Sequence, residues 1–236
     1  MNRQGDFIWQ NVQKQGAVMK RVYIVVEGQT EQEFVNSVIS PYLQEFGILS
    51  VTPVLVRTSR TGRGGMVNYS HLANTIKPLL MSEKSDYIVT TFIDFFRLPH
   101  DMPHYEDSMK KADKIEQIRS LEAAIDEAID DRRFFSYIQL HEFEALLFSS
   151  NKGFEYYFSE ELADKTASII SSYENPEDIN TSPEGAPSKR LLAIKSDYNK
   201  VLEGNLIALE IGIKSILEKC PRFAGWINSI VEKCKE

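Results

Sequence analysis

Cysteine is almost absent from this 236-residue chain: Cys220 and Cys234, both near the C-terminus, are the only two. Two thiols are too few for a disulfide scaffold or a cysteine-based zinc site, and they read as reduced side chains in a cytoplasmic protein. Long apolar runs are missing too. No stretch approaches the roughly 18 residues that span a bilayer, and the first residues lack the charged-then-apolar-then-small layout of a signal peptide. Positive charge is in deficit, with 27 Lys and Arg against 34 Asp and Glu and a formal net charge of −7. That balance argues against a generic cationic coat but leaves local nucleic-acid contacts open. Several catalytic motifs are missing as well: there is no Gly-x-x-x-x-Gly-Lys-Ser/Thr loop, no His-Glu-x-x-His pair and no Gly-x-Ser-x-Gly elbow. With 42% apolar and 26% charged residues, the chain has the balance of a globular protein of one or two domains.

What is present is an alternation of strand and helix signals. Residues 1–18 are polar and aperiodic, and read either as a frayed extension or as residues ahead of a start at Met19. Val22–Val26 is a continuous β-branched run, the pattern of a strand buried on both faces of a parallel sheet. Thr30-Glu-Gln-Glu33 has the spacing of a capping box, and Phe34, Val35, Val38, Ile39 and Leu43 fall on one helical face, with Pro41 set to bend or split that helix. A second strand over Val51–Val56, a helix near 69–81 and a third strand over Tyr87–Ile93 ending at Asp94 follow. Ser108 to about Asp131 then reads as one long acidic helix, and Phe134–Gln139 as a fourth strand. The expected fold is therefore α/β, a mostly parallel four-stranded sheet flanked by helices. Beyond residue 150 the apolar spacing is helical, as in Leu202, Leu206 and Leu209, with a loop over Asn175–Pro187. The expected organisation is an extension over 1–20, an α/β domain over 21–150 and a helical part over 151–236 packed on it.

Ligands in open parallel sheets bind at the carboxyl ends of the strands, and here those ends are acidic. The first strand closes in Glu27-Gly28 with Glu31 one helical turn on, the third in Asp94, and the fourth leads into His141, Glu142 and Glu144. Oxygen ligands of this kind suit Mg2+ or Mn2+. Each acid also has a structural reading: Glu31 complements a helix dipole, Asp94 caps a turn, and His141 is a hydrogen-bonded structural histidine. Glu27 is the hardest to explain that way, because an acid closing an apolar strand needs a partner or water. If the stretch from His141 starts a helix, His141 and Glu144 share a face and Glu142 points away, which makes His141 and Glu144 the expected catalytic pair.

Charge is also uneven. No acid lies between Phe46 and Ser82, where Arg57, Arg60, Arg63 and Lys77 stand, while residues 100–131 hold ten acids against four bases. The loop carrying Arg57, Arg60 and Arg63, with its glycines, suits phosphate contacts or is simply solvated. Lys189 and Arg190 open a predicted helix and form a second candidate phosphate contact. The acidic helix reads as a solvated face.

Val26-Glu-Gly-Gln-Thr-Glu31, Asp94-Phe-Phe-Arg-Leu-Pro99 and Leu140-His-Glu-Phe-Glu-Ala-Leu-Leu-Phe-Ser149 together resemble the bacterial family known as domain of unknown function 4276. Ala186-Pro-Ser-Lys-Arg-Leu191 and the Cys220-Pro-Arg-Phe223 region extend the resemblance towards the C-terminus. That family is regarded as Toprim-like, related to the nuclease domains of overcoming-lysogenisation-defect (OLD) proteins and to RloB-type proteins. The resemblance implies a Toprim-like sheet with a glutamate after the first strand and an Asp-x-Asp after the third, binding Mg2+ or Mn2+ for phosphodiester hydrolysis. Glu27 matches the glutamate and Asp94 the first aspartate, but Phe96 replaces the second, and Arg97 stands where the family tends to have glycine. Glu31, Glu142 or Glu144 would have to supply the missing oxygens. The implied function is a metal-dependent nuclease, an anti-phage effector acting beside an ATPase partner. The alternative is a non-catalytic Toprim-like module that docks on an ATPase or on nucleic acid.

Overall fold

The structure is a computed structural model, and it describes residues 20–58, 65–81, 86–179 and 185–236. The N-terminal extension to residue 19, Arg60, Arg63 and part of the Asn175–Pro187 loop lie outside the described residues. Strands β1 (Arg21–Val26), β2 (Ser50–Leu55), β3 (Tyr87–Asp94), β4 (Phe134–Phe135) and β5 (Ile138–Gln139) all pair in parallel. The sheet order is β2-β1-β3-β4, with β5 following β4 along the same edge of β3. The predicted α/β sheet with a helical C-terminal part is the observed architecture.

Alternation along β1 explains why its run is apolar throughout. Val22, Ile24 and Val26 enter the core on one face, and Val25 enters the core on the other with half-buried Tyr23 packed against it, so both faces are covered. The same split holds for β3, where Ile88 and Phe92 face one core and Val89 and Ile93 the other.

Four local expectations are corrected. The Thr30–Glu33 capping box does not form: the helix begins at Gln29, with Gly28 extended at its N-cap and Thr30 already buried inside it. Helix α1 then runs through 29–44 without splitting at Pro41. It is α over Gln29–Phe34, widens to π over Val35–Ile39 and returns to α over Ser40–Gln44, the wide turn accommodating a proline that cannot donate. After α2 (Tyr69–Leu80), the long acidic helix is two, α3 (Tyr105–Met109) and α4 (Lys114–Ile129), because Asp113 caps the second by accepting the Glu116 N–H at 3.1 Å. The fourth strand is broken between β4 and β5. There the Thr91 hydroxyl replaces the ladder by bonding both N–H and C=O of Tyr137, and Asp126 accepts the Ser136 N–H at 2.7 Å.

Not all of the acidic helix is solvated. Glu122 turns inward to accept the Ile138 N–H at 2.9 Å and Arg222 at 2.6 Å, and burial raises its pKa despite Arg222. Beyond β5 the described residues hold helices only: α5 (Lys152–Tyr157), α6 (Glu160–Ile170), α7 (Pro187–Ile194), a π turn over Lys200–Gly204 leading into α8 (Asn205–Ile211), α9 (Ile213–Lys219) and α10 (Pro221–Lys235). They share one core with a sheet face. Trp226 of α10 stacks on Phe92 and Tyr137 and donates to Thr90 at 3.0 Å. Buried Glu177 caps α10, accepting the N–H groups of Arg222 and Phe223. No helix among the described residues is long and apolar enough to cross a membrane.

Candidate functional site

Parallel register sets Val26 beside Phe92, so Glu27 and Asp94 leave the sheet at the same edge. The loop after β2 returns there, with Gly65 at φ +75° donating its N–H to the Glu27 carbonyl at 3.1 Å. The Glu27 carboxylate takes the N–H groups of Met66 and Asp94. Its pKa nevertheless rises from 4.5 to about 7, because burial and the neighbouring Glu31 outweigh those donors and Lys200. Glu31 is buried in the first turn of α1 and folds back so closely that a Cβ on Gly28 would stand 2.9 Å from its Oε2.

Asp94 closes β3. Its Oδ1 accepts the Phe143 N–H at 3.0 Å and its Oδ2 lies 3.7 Å from Lys200 Nζ. Burial pushes its carboxyl well above the ordinary aspartate range, with Lys200 opposing and Glu31, Glu27 and Glu144 adding to the rise.

The His141–Glu144 stretch departs from the helix expected there. His141 has a left-handed φ of 69°, Glu142 is extended at the N-cap, and a 3-10 turn starts only at Phe143. The predicted sharing of a face by His141 and Glu144 therefore fails. Glu144 is fully buried and faces Lys200 at 3.3 Å, its pKa raised to about 6 chiefly by burial. His141 is also buried, but the charge acting on it is Lys114, and burial plus that cation lower its pKa to about 4. Glu142 is held by α7, accepting the Ser188 N–H and hydroxyl, both at 3.0 Å.

Lys200 is a functional candidate that the sequence reading does not single out. Asn199 caps the π turn that follows, and this aims the Lys200 ammonium at three acids: Glu144 at 3.3 Å, Glu31 at 3.4 Å and Asp94 at 3.7 Å. No pattern in the sequence marks it, because its partners come from β3, α1 and the 3-10 turn.

A cleft of about 350 Å³ has Glu27, Glu31, Asp94 and Glu142 on its acidic side and Arg97, Lys189 and Lys200 as cations, whereas the buried His141 and Glu144 are not among its lining residues. Phe96, at the position of the missing second aspartate, also lines it. Arg97 sits at φ 64°, which is the backbone reason a glycine is expected there. Of the predicted phosphate contacts, Lys189 is exposed on the cleft rim and Arg57 is exposed, but neither Arg57 nor Arg190 lines the cleft. Arg190 is engaged elsewhere, donating to the Gly185 carbonyl and the Tyr173 hydroxyl.

The donor chemistry fits a hard divalent cation: several carboxylates, and both oxygens of Glu144 buried without a hydrogen-bond partner. The arrangement has not closed on one, however. Among the described residues no three acid, histidine or cysteine side chains stand close enough to hold an ion.

No curated protein matches the chain. Among solved structures, the C-terminal region of the Xanthomonas campestris pv. campestris OLD protein is similar at 16% identity over 92% of this chain and 94% of that one, with a TM-score of 0.44. At that score the likeness bears on neither function nor site. The family described as Domain of unknown function (DUF4276) matches residues 26–231, the whole stretch from the end of β1 into α10, and the chain belongs to that family.

Proposed function

We propose that this protein is a divalent-metal-dependent nuclease of Toprim-like type that hydrolyses phosphodiester bonds of DNA or RNA. The observation that carries the reading is the convergence of Glu27, Glu31, Asp94 and Glu142 from three separate chain segments on one cleft, with fully buried Glu144 joined to Glu31 and Asp94 through Lys200. Glu27, Glu31, Asp94 and Glu144 would hold Mg2+ or Mn2+, with Glu142 at the margin. Such an ion, when bound, polarises the scissile phosphate and lowers the pKa of an attacking water. Asp94 positions the turn that presents Glu144. Lys189 and Arg97, on the cleft rim, hold the backbone phosphates, with Arg57 on the same chain's basic segment extending that contact. The anti-phage role, the ATPase partner and the cytoplasmic setting rest on the resemblance to OLD-type and RloB-type proteins and on the two free thiols.

A non-catalytic docking module is the second reading, favoured by Phe96 in place of an acid and by Lys200 already neutralising the cluster. Incubating purified protein with DNA and RNA in Mn2+ separates the two. The nuclease reading expects cleavage that disappears in Glu27→Gln with the melting temperature retained, whereas cleavage at the wild-type rate in that variant would defeat it.

A further inference from the structure

We infer that Lys200 is the resident cation of the carboxylate cluster, that a divalent ion enters only by displacing it, and that this lysine therefore sets the metal affinity of the site. The inference rests on the metal-dependent reading above. Its first support is position. Lys200 Nζ lies 3.3–3.7 Å from Glu144, Glu31 and Asp94, three of the four carboxylates assigned as ligands. Mg2+-type coordination needs oxygens drawn in to about 2.0–2.1 Å of one point. The ammonium stands among the oxygens that would have to draw together, and among the described residues no three acid, histidine or cysteine side chains reach ligand spacing, here or at any other point. A divalent ion and an ammonium sharing so small a cage repel each other, and low polarity around the buried acids strengthens that repulsion.

The second support is how differently the buried acids are held. Glu142 accepts two bonds from Ser188, and Glu177 accepts two backbone N–H groups. Glu144 has no exposed surface and neither oxygen has a hydrogen-bond partner, so its ion pair with Lys200 is what compensates its charge. Exchanging one cation for another at this carboxylate therefore breaks the contact to Lys200 and no bond to a serine or to a second backbone segment of the kind that holds Glu142 and Glu177.

The third support is a way out. The Lys200 side chain keeps 37% of its surface exposed, and it stands at the first residue of the π turn beside exposed Val201 and Leu202. A flexible four-carbon stem can swing the ammonium to water while the backbone stays in place.

Mn2+ titration followed by calorimetry, on wild type and on Lys200→Met, tests this without any cleavage assay. The Met variant should bind Mn2+ roughly tenfold tighter or better, and Lys200→Arg, which keeps the charge, should stay weak. In wild type, the reactivity of Lys200 towards an amine-acetylating reagent, read by mass spectrometry, should rise when Mn2+ is added; this needs no variant to fold. Equal or weaker Mn2+ binding by Lys200→Met, or unchanged Lys200 labelling in wild type saturated with Mn2+, overturns the displacement and leaves the nuclease reading standing. Failure of both wild type and Lys200→Met to take up Mn2+ at millimolar concentration overturns the metal reading itself, and this inference with it.

Discussion

Asp94 serves two neighbours at once: Oδ1 accepts the Phe143 N–H at 3.0 Å while Oδ2 faces Lys200 at 3.7 Å. One oxygen builds the turn and the other joins the cluster. Burial disfavours the charged form of this carboxylate, and the two duties can be separated by substitution. Asp94→Asn keeps an acceptor for Phe143 and removes the desolvated charge, and should hold or raise the melting temperature while cleavage is lost. Asp94→Ala leaves the Phe143 N–H unpaired and should cost about 1–3 kcal/mol in chemical denaturation. Equal stability in the two variants would show that the bond to Phe143 does not hold the turn.

Stability of the metal-free protein should depend on pH with a sign set by Glu27. Its carboxyl moves from 4.5 to about 7 on folding, so between those values the folded state keeps a proton that the unfolded state has released. Its contribution is full below about pH 4.5 and is lost as pH rises through about 7, an effect on the order of 3 kcal/mol for this group. Glu144, raised to about 6, acts in the same direction. Denaturation midpoints without metal should fall from pH 5 to about pH 8, and Glu27→Gln should flatten the slope. A midpoint that rises over this window would contradict the burial-driven shift.

Lys189 and Arg190 are adjacent but should behave differently. Lys189 is exposed on the cleft rim, whereas Arg190 is tied to Gly185 and Tyr173. Lys189→Ala should lower the slope of log affinity against log salt for nucleic acid by about 1 and leave stability within about 0.5 kcal/mol. Arg190→Ala should do the reverse, lowering the melting temperature with little change in slope. Anisotropy titrations at several salt concentrations, paired with thermal melts, measure both.

His141 should not behave as a group titrating near neutrality. Burial and Lys114 hold its pKa near 4, so the ring is neutral at pH 7. The pH–rate profile of cleavage should carry no inflection that vanishes in His141→Gln. Glu144→Gln should reduce cleavage by about 100-fold or more, the scale of losing a group that acts at the reacting centre. A profile whose neutral inflection disappears with His141 would restore the histidine as proton carrier.

Much of the scaffold was legible residue by residue, because burial on both faces of a parallel strand demands an unbroken apolar run. Val22–Val26 and Tyr87–Ile93 show it, and the acids that end those runs mark the edge of the sheet where the candidate site lies. Local capping was less legible. Thr30-Glu-Gln-Glu33 has the letters of a capping box, yet the close turn at Gly28 starts the helix earlier and buries Thr30. The broken fourth strand and the divided acidic helix depend on the Thr91, Asp126 and Asp113 side chains satisfying backbone groups, and a hydrophobic pattern does not encode such bonds.

By itself, then, the sequence determined the α/β class, the helical C-terminal part and the placing of Glu27 and Asp94 at strand ends, since each follows from short-range periodicity and from where an apolar run stops. Only the tertiary structure decided which acids meet. It brings Glu144 rather than His141 to Asp94, because a left-handed residue and a 3-10 turn replace the regular helix. It also delivers Lys200 from the C-terminal helices into a cluster built by the sheet. Coulombic attraction acts through space, so the cation that balances these carboxylates can be recognised only after the chain has folded back on itself.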